Sequence, residues 1–411
     1  MENLLLLVHR IPYPPNKGDK IRSYHLLKHL AQNYRVHLAT FIDDAEDWQH
    51  VPRVKAFCAE SHFVALNPLR GRIRSIGALL GNRSLSPDYY QDGSMRAWVA
   101  GLMQRQTIDR ILVFSSVMAQ YAAPYTAAQR VVDFVDVDSD KWRQYAEKKS
   151  WPMNWLFRHE ARQLLAYERA VARQSDACLF VSEPEAQLFR QLAPESAAKT
   201  GFVSMGVDAD FYSPEHVFDN PFPAASQTIV FTGAMDYWPN IDAVQWFVTS
   251  IFPTLRATYP DLVFAIVGAR PAPAVKALEQ EAGVVVTGRV ADVRPYLAHA
   301  ALSVAPLRVA RGVQSKVLEA MSMAKTVVVS PQALEGIDAS PGSELLLAED
   351  AQAFAATVSA ALARPDPTMG SAARARVLRD YSWTSNLSKI DTLLEAGVQP
   401  DHKKDSVFQC S

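Results

Sequence analysis

Short runs of apolar residues recur along the chain, and each is followed by a polar turn and a longer segment with helical spacing. This alternation is typical of strand–helix–strand units, which form a parallel sheet covered by helices on both faces. Two of the intervening helices are predicted at residues 22–33 and 155–173. In the first half of the chain the pattern predicts seven strands, at residues 4–9, 36–41, 62–66, 111–115, 130–135, 177–182 and 202–205.

The pattern stops between residues 206 and 227, where prolines and aspartates accumulate without periodicity. It then restarts with six further strands, at residues 228–232, 263–267, 284–287, 301–305, 326–330 and 344–347. A chain of 411 residues is long enough for two domains. We therefore expect an α/β protein of two doubly wound, Rossmann-like domains that face a cleft. The expected order is a first domain at 1–205, a linker at 206–227, a second domain at 228–380, a helix at 381–396 that packs back on the first domain, and a disordered tail at 397–411.

Composition excludes several classes of protein. The formal net charge of −1 provides no field that would attract nucleic acid. Cys58, Cys178 and Cys410 are far apart, so we expect free thiols in a reducing cytosol and no thiolate zinc site. The apolar run before His9 is too short for a signal peptide, and no run reaches the ~18 residues of a membrane span. A cytoplasmic protein is expected.

Glycines follow three predicted strands of the second half: Gly233, Gly268 and Gly288. Ligands of open parallel sheets bind at the carboxyl ends of the strands, where glycine lets a ligand approach the backbone closely. Tight turns without a ligand explain each glycine equally well when it is taken singly. The three together indicate a binding edge.

The most informative segment is PLRVARGVQSKVLEAMSM at residues 306–323. It contains Arg308, Arg311 and Gly312, followed by Lys316 and Glu319 on one face of a predicted helix. Arginine and lysine bind diphosphate oxygens, and a carboxylate accepts hydrogen bonds from ribose hydroxyls. The segment therefore suits a nucleoside diphosphate. An exposed helix face with an ordinary Lys–Glu pair is the alternative.

This segment, with TIVFTGAMDYWPNIDAVQWF before it and TVVVSPQALEGI after it, resembles the retaining glycosyltransferases of family 4, which have the GT-B architecture. The loop PPNKGDKIRSYHLLKHL and the connector SMGVDADFYSP extend the resemblance over nearly the whole chain. The chain looks closest to the sugar transferases of exosortase-type exopolysaccharide systems. The resemblance implies a nucleotide-sugar donor in the second domain, a glycan or lipid-linked acceptor in the first, retention at the anomeric carbon, and no metal or other cofactor.

The resemblance also implies roles for individual residues. Glu319 matches the glutamate that holds the donor ribose, and Lys316 and Arg308 match the cations at the diphosphate. The loop at Gly18 would close over the donor. The implied donor-binding set is completed by Gly233, Gly268, Arg311 and Gly312.

Two departures from the family pattern concern the donor. Many members have a glutamate eight positions before the ribose-binding one, where this chain has Arg311. The Arg and Lys pair that commonly follows the first strand of the second domain is replaced by Asp236, Trp238 and Asn240. Arg308, Arg311 and Lys316 are then expected to supply the positive charge.

Candidates in the first domain lie at the predicted carboxyl edge of its sheet. His9 ends the first strand, and the run VVDFVDVDSDKW contains Asp133, Asp136, Asp138 and Asp140. We expect His9, Asp136 and Asp138 to contact the acceptor or the donor sugar. The spacing of the aspartates also suits a hard cation, or simply the capping of a helix. No metal is expected, because the family that the chain resembles is metal-independent.

Residues 70–83, RGRIRSIGALLGNR, combine arginines with apolar residues at helical spacing. This pattern suits a basic helix in contact with anionic lipid at the inner face of the cytoplasmic membrane. A solvated basic face over a buried apolar stripe is the alternative.

Two other functions remain open. A nucleotide-sugar epimerase of similar shape would need acid and base groups around one sugar. A non-catalytic nucleotide-sugar-binding subunit would bind without turnover. A dinucleotide oxidoreductase is disfavoured, because no Gly-x-Gly-x-x-Gly follows a first strand in either half.

Overall fold

A computed structural model describes residues 1–15, 17–147, 149–223, 226–310 and 312–396. The chain divides into two compact units. The first comprises Met1–Ser204 together with the segment that begins at Leu387, and the second comprises Met205–Asn386. The tail at 397–411, predicted to be disordered, lies outside the described residues.

The first unit contains a seven-stranded parallel sheet of order β3-β2-β1-β4-β5-β6-β7. Its central strands are continuous apolar runs because helices cover both faces, and Leu4, Leu5, Leu6 and Leu7 are all fully buried. The strands are β1 Glu2–Val8, β2 Tyr34–Ile42, β3 Glu60–Ala65, β4 Arg110–Phe114, β5 Gln129–Val135, β6 Ala177–Phe180 and β7 Thr200–Phe202. The helices are α1 Gly18–Asn33, α2 Val51–Lys55, α3 Pro68–Leu80, α4 Leu85–Tyr89, α5 Gly93–Arg105, α6 Asp138–Glu147, α7 Met153–Gln174 and α8 Glu183–Leu192.

The second unit contains a six-stranded parallel sheet of order β10-β9-β8-β11-β12-β13. Its strands are β8 Thr228–Thr232, β9 Val263–Val267, β10 Val284–Gly288, β11 Leu302–Ala305, β12 Val327–Val329 and β13 Leu346–Leu347. Its helices are α9 Trp238–Trp246, α10 Phe252–Thr258, α11 Pro273–Lys276, α12 Arg294–His299, α13 Ser315–Ser322, α14 Pro331–Leu334, α15 Ala351–Ala363 and α16 Pro367–Arg376. Helix α17, Trp383–Glu395, begins in the second unit and ends in the first.

The predicted fold class is confirmed, and every predicted strand is present. The ends shift by a few residues where pairing with a neighbour decides the bounds. The last strand of the first half, predicted at 202–205, is found at Thr200–Phe202 because it pairs with β6, with Thr200 opposite Cys178.

Helix α17 packs back on the first unit, as predicted. Arg110 Nε at the start of β4 donates a hydrogen bond of 3.1 Å to the carbonyl oxygen of Leu394. Gln129 Nε2 at the start of β5 donates one of 3.1 Å to the carbonyl of Leu393. The end of the helix thereby closes the edge at which β4 and β5 begin.

The segment between β7 and β8 has no helix and no strand within its described residues. It nevertheless packs on the second unit. Val207 is buried, and its amide donates a hydrogen bond of 2.8 Å to the carbonyl of Tyr381. The start of the segment predicted as a linker therefore packs on the second unit, whereas residues 214–223 are mostly exposed.

Among the helices in the described part of the chain, none combines the length and the apolar character that a membrane span requires.

Candidate functional site

The loops that follow β8 and β9 touch through two glycines. The amide of Gly233 donates a hydrogen bond of 3.0 Å to the carbonyl of Val267. A Cβ atom added to Gly268 would lie 1.6 Å from the carbonyl oxygen of Gly233. Gly268 is therefore required by the packing of the two loops, which is a structural reason for a residue predicted to bind the donor.

Gly233 lies beside the candidate donor residues. A Cβ atom there would lie 2.7 Å from Asn240 Nδ2 and 3.5 Å from Lys316 Cε. Asn240 Nδ2 donates to the carbonyl of Ala234 at 2.9 Å, which fixes the amide plane. The absence of a side chain at Gly233 thus makes room for a contact between Asn240 and Lys316.

Lys316 lies in the first turn of α13. Its Nζ donates a hydrogen bond of 2.5 Å to Asn240 Oδ1 and lies 4.8 Å from the ring centre of Phe231. Burial lowers the pKa of Lys316 to about 8, although the neighbouring Glu319 opposes the shift. The ammonium is thus held beside polar and aromatic groups and close to the amino terminus of a helix.

Glu319 lies one turn further along α13. Burial raises the pKa of its carboxyl to about 7, against the opposing effects of Lys316 and of a hydrogen bond with Tyr212. The predicted pairing of Lys316 and Glu319 on one helix face is therefore found. Both side chains are partly buried. The alternative that the sequence allowed, an ordinary Lys–Glu pair on an exposed helix face, is therefore not found.

Tyr212 is a site residue that the sequence did not reveal. A neighbouring ion pair holds its segment: Arg294 Nε and Nη2 donate hydrogen bonds to Oδ2 of Asp292 at 2.9 and 2.6 Å. Arg294 also donates to the carbonyl of Phe211 at 3.2 Å and stacks on its ring at 3.7 Å. No periodicity marks Tyr212, since it reaches Glu319 only through the packing of an irregular segment.

Arg308 has a protein partner that the sequence analysis did not anticipate. Its Nε donates to Asp242 Oδ2 at 2.9 Å, and its Nη2 also contacts the same carboxylate. Its guanidinium lies 5.6 Å from the ring centre of Trp246. The charge of Arg308 is thus compensated by the carboxylate of Asp242 on α9. The role of Arg308 at a diphosphate stays a prediction. Arg311 lies outside the described residues.

The loop before α13 depends on two further glycines. Gly312 has a φ of +64°, a left-handed conformation that glycine adopts without strain. A Cβ atom on Gly336 would lie 3.0 Å from the carbonyl carbon of Gly312. Gly312 therefore sets the turn that leads into the helix carrying Lys316.

In the first unit, His9 directly follows β1, which ends at Val8, one residue before the predicted end. Its Nε2 lies 3.4 Å from Asp19 Oδ2, and its ring stacks on Phe114 at 5.8 Å. Arg10 Nη1 donates to the same Asp19 oxygen at 2.7 Å. The pKa of Asp19 is lowered because the hydrogen bond from His9 and the charge of Arg10 outweigh burial. Gly18, one residue earlier, is the first residue of α1.

The acidic run after β5 is held by cations of the protein. Lys141 Nζ donates to Asp136 at 2.6 Å and to Asp138 at 3.2 Å. Asp140 accepts from Arg143 at 2.6 Å. Within the described residues, no group of three His, Cys, Asp or Glu side chains is placed to bind a metal ion.

Asp133 does not belong to a surface site. It is fully buried and accepts a hydrogen bond of 2.7 Å from Arg22 Nε. Arg22 Nη1 also donates to the carbonyl of Val203 at 2.6 Å. Asp133 therefore differs from its acidic neighbours Asp136 and Asp138, because it forms an internal ion pair with Arg22.

Residues 70–83 form most of α3, which ends at Leu80. Arg74 Nη2 donates to the carbonyl of Tyr89 at 3.3 Å, and Arg83 pairs with Asp88 at 2.9 Å. Two arginines of this segment thus have partners within the protein. Contact with a membrane stays a prediction.

Part of the second unit is similar to a known family of proteins. Residues 226–364, from β8 through α15, match the model of the family described as glycosyl transferases group 1. The match includes Gly233, Asn240, Lys316 and Glu319. The comparison with curated proteins found no match.

Three solved structures show how far the fold is shared. A glycosyltransferase from Rickettsia africae has a TM-score of 0.67 at 13% identity, and the alignment covers 97% of this chain and 100% of the Rickettsia chain. Sucrose-phosphate synthase from Thermosynechococcus elongatus has a TM-score of 0.66 at 17% identity, and the alignment covers 96% of this chain and 99% of the synthase chain. Anabaena HepE in complex with UDP has a TM-score of 0.64 at 16% identity, and the alignment covers 96% of this chain and 100% of the HepE chain. At these identities the likeness shows a common fold.

Proposed function

We propose that this protein is a glycosyltransferase that moves a sugar from a nucleoside diphosphate sugar to a glycan or lipid-linked glycan. The observation that carries the proposal is the placement of Lys316 and Glu319 on the first two turns of α13. This helix lies within the segment that matches the glycosyltransferase family. The family match and the shared fold support glycosyl transfer as the general activity.

The donor diphosphate would bind between Lys316 and the amino terminus of α13. The first amides of a helix have no partner within it and attract anions, and an ammonium beside them adds a full charge. Burial makes the ammonium less hydrated, which strengthens its interaction with an anion. Bound UDP in the Anabaena structure of the same fold supports a diphosphate ligand.

Glu319 would orient the nucleoside. Its carboxylate lies one helical turn beyond Lys316. It would accept hydrogen bonds from the two hydroxyls of the ribose, as an acidic residue does in dinucleotide-binding α/β domains. Tyr212 lies beside this carboxylate and opposes the rise in the pKa of Glu319 that burial causes. A nucleotide bound by Lys316 at its diphosphate would then meet Glu319 at its ribose.

Sugar transfer from such a donor depends on stabilising the departing diphosphate. Lys316 and the helix amides are in place before the reaction, so charge that develops on the leaving group meets preorganised donors. Retention at the anomeric carbon and a role in exopolysaccharide synthesis follow from the sequence resemblance and are proposed on that basis. His9, Asp136 and Asp138 are proposed to contact the acceptor or the donor sugar.

The test is an assay of the full-length protein with UDP-, GDP-, ADP-, TDP- and CMP-sugars, with and without extracted lipid-linked glycan. The expected result is release of one nucleotide that depends on the acceptor, with the sugar found on the acceptor at retained configuration. Nucleotide binding without any turnover would instead favour the non-catalytic subunit. Conversion of the donor sugar without transfer would favour an epimerase.

A further inference from the structure

The first unit contains a cavity of about 300 Å³ between its sheet and α7. Val113 of β4 and Val132 of β5, which are paired neighbours, form its floor. Tyr167, Val171 and Gln174 of α7 form one wall. Cavities of this size hold small organic ligands when apolar walls are combined with a few polar groups.

One charged side chain in this cavity, Arg130, is buried and has a nitrogen without a hydrogen-bond partner among the described residues. Arg130 lies two residues before Val132 on β5 and therefore points to the same face of the sheet. It is 8% exposed, and its Nε is buried without a hydrogen-bond partner. Among the residues that the structure describes, none forms an ion pair with Arg130.

Three other polar groups around the cavity are satisfied internally. Tyr167 donates to the carbonyl of Ser116 at 3.1 Å, and Gln120 Nε2 donates to that of Pro87 at 2.9 Å. Ser175 Oγ donates to the carbonyl of Val171 at 2.8 Å. Arg130 differs from these three groups because it is a buried cation without an ion-pair partner in the described part of the chain, and a buried charge without a partner is costly.

The charge of the whole lining has one sign. Arg96, an exposed arginine of α5, also lines the cavity, and no lining residue is acidic. The described residues provide no ion-pair partner for Arg96 either. An anion is therefore the ligand that the electrostatics favour, while Val113 and Val132 favour an apolar body.

We propose that this cavity is a binding site for a small amphipathic anion, a carboxylate or a phosphate monoester attached to a short apolar chain. The anionic group binds the guanidinium of Arg130, which presents paired donors to carboxylate or phosphate oxygens. The apolar chain packs on Val113 and Val132. This site is separate from the candidate donor site, which belongs to the second unit, and it does not depend on the proposed transferase activity.

The probes are hexanoate, hexyl phosphate and the neutral hexanol, titrated by calorimetry into the full-length protein. We expect saturable binding of at least one anion, tighter than hexanol by about ten-fold or more, since charge-assisted hydrogen bonds are strong. The tighter of the two anions identifies the head group. No binding of either anion to folded protein, or equal binding of hexanol, would overturn the proposal.

Three variants locate the site. Arg130→Met removes the guanidinium, and Ala170→Leu fills the cavity while it leaves Arg130 in place. Both are expected to weaken the anion about ten-fold or more. Arg35→Gln, an exposed arginine on β2, removes the same charge outside the cavity and is expected to bind the anion as the natural protein does.

The melting temperature separates a ligand site from a structural arginine. Removing an uncompensated buried charge should leave the Tm of ligand-free Arg130→Met equal to or above that of the natural protein. The same variant should lose the Tm increase that the anion causes. A lower Tm together with unchanged anion affinity would show that Arg130 serves the fold, and the proposal would be wrong.

Discussion

The Nζ of Lys316 donates a hydrogen bond of 2.5 Å to Oδ1 of Asn240. The Arg and Lys pair that is common in the resembled family is replaced in this region by Asp236, Trp238 and Asn240, so this chain places a neutral acceptor beside its site lysine. The ammonium is oriented by an amide that adds no charge of its own. Within the residues that the structure describes, Lys316 is therefore a cation without a carboxylate hydrogen-bond partner at the start of α13, whereas Arg308 is paired with Asp242.

Nucleotide affinity should fall as pH rises through the pKa of Lys316, which is about 8 in the free protein. A bound diphosphate favours the charged lysine, so binding takes up a proton above that pH. Between about pH 7 and about pH 9.5 the affinity should fall by roughly ten-fold or more. Phosphate groups, with a pKa of about 6, are already mostly ionised at the lower end of this range. Calorimetry across it provides the measurement.

The control for the pH profile is Lys316→Met. Its nucleotide affinity should be weak and nearly independent of pH over the same range. If the variant keeps the decline shown by the natural protein, another group is responsible and the assignment to Lys316 is wrong.

Arg308 should contribute less to nucleotide binding than Lys316, because Asp242 already binds its guanidinium through both oxygens. We expect Arg308→Gln to weaken the nucleotide by less than about three-fold, as is common for exposed compensated charges. Asp242→Asn should strengthen binding slightly, since it leaves Arg308 uncompensated. A loss in Arg308→Gln as large as in Lys316→Met would show that the arginine leaves Asp242 for the diphosphate.

Gly268→Ala should destabilise the second unit. Its Cβ atom would lie 1.6 Å from the carbonyl oxygen of Gly233, so the two loops would have to separate. We expect a loss of about 3 kcal/mol or more in the free energy of unfolding by urea, at the upper end of overpacking effects. The comparison is Gly77→Ala on α3, where nothing lies within 4 Å of the new atom and a gain of about 0.5–1 kcal/mol is expected. Equal effects of the two changes would refute the steric argument.

Arg22→Met should destabilise the first unit, because it leaves Asp133 buried without its partner. Breaking a buried ion pair in this way costs about 3–5 kcal/mol. The matched change is Arg143→Met, which removes an exposed arginine from its 2.6 Å contact with Asp140 and should cost about 0–1 kcal/mol. Urea unfolding of both variants gives the comparison, and similar losses would contradict the assignment of Arg22 and Asp133 to the core.

The strands were predictable because each is a short apolar run between turns, and burial on both faces leaves that pattern in the sequence. The pairing of Lys316 with Glu319 was predictable too, since a spacing of three residues places both on one helix face. These features depend on local sequence alone.

The rest of the site depends on contacts between distant segments. Tyr212 meets Glu319, and Asp242 meets Arg308, across more than sixty residues of chain in each case. Asp133 appeared to belong with its acidic neighbours because the sequence does not show that Arg22 lies against it. Such partners are set by the packing of distant segments, and the periodicity of the sequence does not predict them.

The most direct test of the account is the binding of UDP, GDP, ADP, TDP and CMP to the full-length protein, measured by calorimetry with Lys316→Met and Lys276→Met as a matched pair. Lys276 is an exposed lysine of the same unit. We predict that one nucleoside diphosphate binds, that Lys316→Met weakens it by about ten-fold or more, and that Lys276→Met leaves its affinity unchanged. Failure of every nucleotide to bind the folded protein, or equal affinities in the two variants, would contradict the assignment of the donor site to α13.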